Sequence, residues 1–186
     1  KNEEGIVGVP TGLTDLDSRL GGLHKQDLVI IAGRPSMGKT ALATNIAFKM
    51  VKTKSMDDEN KKNIIGFFSL EMSSEQLATR ILAEDSSISS EKIRRGQLNS
   101  NDFQKIVKSS QTLSDLSLYI DDSPNLSISA LRTRSRRLKR KYGLNAIVID
   151  YLQLNSSHYY LSLGRPFEVM KHWEIFRDRL KKWSIL

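Results

Sequence analysis

The chain has 186 residues and no cysteine, and 29 Lys and Arg against 21 Asp and Glu leave it with a formal charge of +8. That length suits one domain with a sizeable core. The missing cysteines exclude disulfides and thiolate metal sites. No apolar run approaches the roughly 18 residues a membrane-spanning helix needs, and no secretory signal is visible, so no membrane partner is expected. His24, His158 and His172 lack the spacing of metal ligands, and the positive balance suggests a polyanionic partner.

In chain order, Gly8 to Leu23 reads as a turn, a short helix over Thr14 to Leu20, and a double-glycine stop. Thr14 is the natural N-cap, with Leu16 and Leu20 as a buried pair. The apolar, β-branched run Leu28 to Ala32 predicts a strand buried on both faces. Gly33-Arg34-Pro35-Ser36-Met37-Gly38-Lys39-Thr40 follows and fits G-x-x-x-x-G-K-[ST] at every fixed position, and a helix-forming run, Ala41 to Val51, comes next. Lys52 to Lys62 is a charged segment without periodicity, expected to be exposed.

Asn63 to Leu70 predicts the second strand, ending at Glu71. A helix over Ser74 to Glu84 is announced by a capping box of Ser73 and Gln76, with Leu77, Ile81 and Leu82 as its apolar stripe. Shorter helices are expected over Ser90 to Arg95 and Asp102 to Leu113. A third strand, Leu116 to Ile120, runs into Asp121-Asp122-Ser123-Pro124. Ser129 to Tyr142 is a strongly basic helix around the stripe Ile128, Leu131, Ser135, Leu138 and Tyr142. The simpler reading of its charge is a solvated face, with direct nucleic-acid contact the alternative. The fourth strand, Asn145 to Ile149, ends at Asp150.

Strands alternating with helices predict an α/β fold with a mostly parallel sheet. Ligands of such sheets bind beyond the carboxyl ends of the strands, where the Gly33 loop, Glu71, Asp121 and Asp150 all fall. A strand, a glycine-flanked loop and a helix together wrap a polyphosphate with backbone N–H groups at the positive end of the helix. Lys39 reaches the β- and γ-phosphates, and the Thr40 hydroxyl suits Mg²⁺. Asp150 at the end of an apolar strand has the Walker B pattern and is the second candidate for that ion, usually through water. Glu71 is the candidate general base, with an ordinary exposed glutamate as the competing reading.

The segments Gly8-Val-Pro-Thr-Gly-Leu-Thr-Asp-Leu-Asp17, Gly33 to Thr40, Phe68-Ser-Leu-Glu-Met72, Tyr119-Ile-Asp-Asp-Ser-Pro124 and Ile149-Asp-Tyr-Leu-Gln-Leu154 occur in unbroken order. They resemble the successive signatures of the RecA-like motor domain of bacterial replicative helicases, the DnaB family. The resemblance implies an ATP- and Mg²⁺-dependent, cytoplasmic, homohexameric motor that unwinds DNA 5′ to 3′ from single-stranded DNA at the fork. It implies a primase and a helicase loader as partners, Glu71 as the catalytic glutamate, and an active site completed by a neighbour's arginine finger. On this reading residues 1–154 are a partial RecA-like domain and residues 155–186 a divergent, helical tail, with Arg165 to Trp183 as its amphipathic stretch. The tail shows no Ser-Gln sensor strand and no arginine-finger motif. In the RecA-like sheet the sensor strand lies between the phosphate-loop strand and the Asp150 strand, so its absence predicts unpaired edges there. The alternatives are a nucleotide-binding remnant without turnover and a RecA/RadA-type recombination ATPase.

Overall fold

The computed structural model describes residues 7–34, 36–55 and 61–150. Their elements are α1 (Thr14–Leu20), α2 (Lys39–Lys52), β1 (Ile65–Ser69), α3 (Ser74–Ser86), α4 (Ser90–Arg95), α5 (Ser100–Ser114), β2 (Leu118–Asp121), α6 (Ile128–Tyr142) and β3 (Ala146–Asp150). The three strands form a parallel sheet in the order β2-β1-β3. The α/β expectation is met, and the elements from β1 onward fall close to the boundaries read from the sequence. The expected helical tail over residues 155–186 lies outside the described residues.

The pleat sorts the core into two layers. Ile65 and Phe67 of β1, with Ala146 and Val148 of β3, face Ile46, Phe48 and Met50 of α2 and Leu77 and Ile81 of α3. Phe68, with Ile147 and Ile149, faces Leu131 and Leu138 of α6. Every residue of β1 is buried, as a central strand covered on both sides must be. Leu131 and Ser135 are the buried positions of α6, while Tyr142 ends its stripe half-exposed and stacks on Tyr119 with ring centroids 4.8 Å apart.

Two asparagines fix the amino ends of the strands. Asn63 Nδ2 donates to the Met50 carbonyl at 3.2 Å, to Thr53 Oγ1 at 2.8 Å and to the Lys54 carbonyl at 3.1 Å. Asn145 Oδ1 accepts from the Ile64 amide at 2.9 Å, and its Nδ2 donates to Ser55 Oγ at 3.2 Å. The carboxyl end of α2 is thereby tied to the start of β1. The helix runs against the strand and its amino end lies toward the strands' carboxyl edge. In the Lys52 to Lys62 segment, Lys52, Lys54, Lys61 and Lys62 are exposed as expected, and residues 56–60 lie outside the described residues. Ser55 is buried, and Lys54 and Lys62 form an antiparallel bridge.

The predicted strand Leu28 to Ala32 does not form. Leu28, Val29, Ile30 and Ile31 join no sheet and are 47%, 51%, 54% and 38% exposed. A strand exists through the hydrogen bonds of its neighbours. Among the described residues β3 is the last strand on its side of the sheet, and no described strand pairs with the apolar run. The expectation of unpaired edges beside a sensor strand turns on residues 155–186, which lie outside the described residues.

The first segment is also corrected in detail. Thr14 is the first helical residue of α1 rather than its cap, and Leu13 at the N-cap offers no side-chain bond. Asp17, inside the helix, instead holds the segment that leads into it. Its buried carboxylate accepts the Thr11 amide and hydroxyl, both at 2.7 Å, and the Gly12 amide at 3.0 Å. Leu13, Leu16 and Leu23 pack on the α2 layer, whereas Leu20 is exposed. Gly8 and Gly22 pass so closely that a Cβ on either would meet the other chain segment at 2.5–2.9 Å. Only glycines allow the Val9–Leu23 bridge beside them.

Candidate nucleotide site

The phosphate loop ends in a helix with an unusual start. Helices α3, α4 and α5 begin with a serine or asparagine whose side chain accepts from the first turn, and each has an acid in that turn. Helix α2 has neither: Gly38 is its N-cap, with no side-chain cap and no acidic residue in the first turn. The first amides of a helix require partners, and the dipole favours a negative one. A helix that supplies none from its own sequence is prepared for an external anion.

The backbone before it bends to suit. Gly38 has φ 83° and Ser36 φ 64°, two left-handed residues on either side of Met37. Such alternation turns consecutive N–H groups toward one concavity. For Ser36 this conformation is uncommon and mildly strained, which is typical of ligand-holding loops. Met37 N donates to the Arg34 carbonyl at 3.3 Å, closing the loop, and the Lys39 stem lies 3.4 Å from where a Cβ on Gly33 would stand. Thr40 is half-buried, and its carbonyl accepts the Thr44 hydroxyl at 2.7 Å. Pro35 lies outside the described residues.

At the carboxyl edge of the sheet, Ser69 of β1 is the register partner of Asp150 of β3. The Leu70 amide donates to the Asp150 carbonyl at 2.7 Å. Ser69 Oγ donates to the Met72 carbonyl at 2.6 Å and accepts the Met72 amide at 3.2 Å, clasping the turn that displays Glu71. Glu71 itself is exposed. Asp150 is only 6% exposed, and its Oδ2 has no hydrogen-bond partner among the described residues. A buried carboxylate oxygen left open costs free energy unless something cationic or protic meets it. Among the described residues there is no group of three or more His, Cys, Asp or Glu that could hold a metal ion. One buried carboxylate and one threonine hydroxyl fit Mg²⁺, which keeps several waters and takes further ligands from phosphate.

Asp121, the third strand-end carboxylate, is already engaged. Arg134 Nη1 donates to both of its oxygens, at 2.8 and 2.6 Å, and to Ser123 Oγ at 2.6 Å. Burial pushes the Asp121 carboxyl up, but the bonds from Arg134 and Ser123 outweigh it and hold the group below its ordinary range. Asp122 caps α3 by accepting the Ser74 amide at 2.7 Å, and that bond lowers its pKa. Sequence reading missed three of these roles: Ser69 as the clasp, Arg134 as the partner of Asp121, and Asp122 as a cap. Ser69, two residues before Glu71 and ending the strand, was the one with a local signal. The other contacts join segments that are distant in sequence or on different elements.

A parallel sheet with a phosphate loop, an uncapped helix behind it, and a buried aspartate at the end of a strand define a RecA-like P-loop nucleotide-binding domain. The chain belongs to the family described as the DnaB-like helicase C terminal domain, whose match covers residues 8–171. That match runs past Leu154, where the motif resemblance stops. Relatives include the replicative DNA helicase DnaB of Rickettsia conorii, 51% identical over 157 residues, or 83% of this chain and 32% of the relative. The DnaB of Geobacillus stearothermophilus is 46% identical over 154 residues, 82% of this chain and 32% of the relative. A probable replicative DNA helicase of Trieres chinensis is 44% identical over 181 residues, 97% of this chain and 38% of the relative. The chain thus spans about a third of the length of these relatives. Among solved structures, an ATPase domain is similar at TM-score 0.79 and 32% identity, over 98% of this chain and 61% of that one. A DnaB-like replicative helicase, described with its primase interactions, is similar at TM-score 0.72 and 33% identity, over 82% of this chain and 36% of that one.

Proposed function

We propose that this chain is the ATP-binding motor portion of a replicative DNA helicase, working as a hexamer on single-stranded DNA at the fork, with primase and a loader as partners. The uncapped amino end of α2 behind a complete phosphate loop is the observation that carries the nucleotide reading. Its backbone amides and Lys39 hold the phosphates. Thr40 and Asp150 are the residues that would hold Mg²⁺, which when bound neutralises charge on the phosphates. Glu71, presented by the Ser69 clasp at the solvent edge, orients water and takes its proton. Asp121 is set aside as a base because Arg134 occupies both its oxygens. Membership in the DnaB family also sets aside the recombination-type alternative.

The second reading, nucleotide binding without turnover, is favoured by one observation. The run Leu28–Ile31 leading into the loop has no strand beside it among the described residues. Titration of a fluorescent ATP analogue, followed by phosphate release with and without single-stranded DNA, separates the two. Lys39→Ala is expected to weaken binding at least tenfold, or about 1.4 kcal/mol; unchanged affinity overturns the nucleotide site. Glu71→Gln is expected to bind normally and lose hydrolysis. If the parent chain also binds and does not turn over, the second reading holds.

A further inference from the structure

Glu71 sits on the turn Leu70 to Ser73, between the end of β1 at Ser69 and the start of α3 at Ser74. An exposed carboxylate on a free turn samples many positions, whereas a general base has to stand within hydrogen-bond reach of one water. The strand end of the turn is held by the two bonds between Ser69 Oγ and Met72. Ser69 is buried at the end of the central strand, so that anchor is rigid.

The helix end is held from another part of the chain. Asp122 Oδ2 accepts the Ser74 amide at 2.7 Å, across 48 residues of sequence. Helix α3 does not require this acceptor. Its capping box already serves the Ser73 and Gln76 amides, and the Ser74 bond lies at the surface, where water is an equal partner. What the bond adds is a tie between neighbouring strand ends, because Asp122 directly follows β2, and β2 pairs with β1. Bonds from Ser74 lower the Asp122 pKa, so the group is ionised at neutral pH and the tie is charge-assisted. Asp122 is also fixed from behind. The residues on either side of it, Asp121 and Ser123, both accept from Arg134 Nη1, and the Ser123 amide donates to Asp121 Oδ1 at 3.1 Å. The loop that carries Asp122 is thereby pinned to α6.

We propose that Asp122 is a positioning residue for hydrolysis: with Ser69 it fixes both ends of the turn that carries Glu71. It acts through Glu71 and so rests on the reading of Glu71 as the base. The test compares Asp122→Ala, Asp122→Asn and Glu75→Gln in the 186-residue chain. Glu75 is exposed in the first turn of α3, and its substitution removes the same charge from the same helix end. Amide exchange is followed residue by residue by NMR. In Asp122→Ala the Met72 amide, whose own partner is Ser69, is expected to exchange at least about threefold faster, together with the Ser74 amide. Leu77 and Ile81, deeper in α3, are expected to keep the parent rates. Asp122→Asn, which retains an acceptor oxygen, and Glu75→Gln are both expected to keep the parent rate at Met72. In ATP hydrolysis Asp122→Ala is expected to lower kcat about tenfold or more, since misplacing a catalytic group by about 1 Å costs up to about a hundredfold. Its affinity for a fluorescent ATP analogue is expected to stay at the parent value.

A Met72 amide at the parent rate in Asp122→Ala would reduce Asp122 to a cap and overturn the proposal. Equal acceleration at Leu77 overturns it as general loosening of the helix, and the same effect in Glu75→Gln overturns it as a field of the charge. Parent-like kcat in Asp122→Ala, or a loss of nucleotide affinity in step with kcat, overturns it as well. The exchange measurement needs no turnover, so it decides the proposal even in a chain that binds without hydrolysing. Failure of Glu71 as the base appears instead as parent-like hydrolysis by Glu71→Gln, so the two readings fail separately.

Discussion

Strand β1 and the run Leu28–Ile31 are both predicted from the sequence as buried strands and have opposite fates. Ile65, Phe67 and Phe68 are at most 2% exposed, whereas Leu28 to Ile31 lie 38–54% in solvent. The difference is position in the sheet. β1 has β2 on one edge and β3 on the other, with α2 and α6 over its two faces. The earlier run has no strand beside it among the described residues. Apolar sequence makes a strand possible, and partners on both edges make it a core.

The sharpest way to break this comparison is a pair of truncations. Phe67→Ala is expected to cost about 3–5 kcal/mol in denaturant unfolding, through lost transfer energy and the cavity left behind. Ile30→Ala, in a segment that packs against little, is expected to stay within about 0.5 kcal/mol. Similar losses at both sites would show that the Leu28 run is buried in solution. Asp17→Ala gives the next largest effect. It leaves the Thr11 and Gly12 amides without their acceptor, and a loss of about 2–3 kcal/mol is expected in the same assay. A loss under about 0.5 kcal/mol would mean that this first segment is as loosely held as the Leu28 run.

Arg134→Gln gives the smallest change and sharpens the packed side. The Asp121 carboxyl is held below its ordinary value of 3.8. A depressed carboxylate contributes stability that is present above the unfolded-state value and is lost as pH falls through the folded one. Both groups are partly solvated, so the pair is worth about 0.2–1 kcal/mol at neutral pH. Parent and Arg134→Gln should therefore differ in stability at neutral pH and converge as pH drops below about 3.8. A difference that persists unchanged into acid would assign it to packing of the arginine stem.

Much of this was legible in the sequence for identifiable reasons. The Ser73–Gln76 capping box gave the start of α3, because both of its bonds are local. The i, i+3, i+4 stripes gave α3 and α6, and the apolar runs before Glu71 and Asp150 gave β1 and β3. The phosphate loop was legible because each of its fixed positions has a separate physical job. The Leu28 run was misread because strand formation depends on residues elsewhere in the chain. Thr14 was misread as a cap for a related reason. The partner of the Thr11 and Gly12 amides is Asp17, a residue inside the helix, and a local capping pattern does not look there. Asp121 shows the same limit at the site: its position after a strand was visible, but its occupation by Arg134, 13 residues on, was not.

The bond from the Leu70 amide to the Asp150 carbonyl, with the Ser69 clasp beyond it, mechanically joins the proposed base Glu71 to the proposed metal ligand Asp150. Glu71 hangs from a turn hooked on Ser69, and Ser69 is in register with Asp150. Any tilt of the end of β3 therefore moves both acids together, and their spacing is protected. Register is the weak point of such a linkage. A slip of β3 by one residue would turn Ile147 and Ile149 to the other face, swing Asp150 away and pull the Glu71 turn out of place in the same motion. The strand pair acts as a gauge block: it sets one dimension of the site, and it fails all at once or not at all.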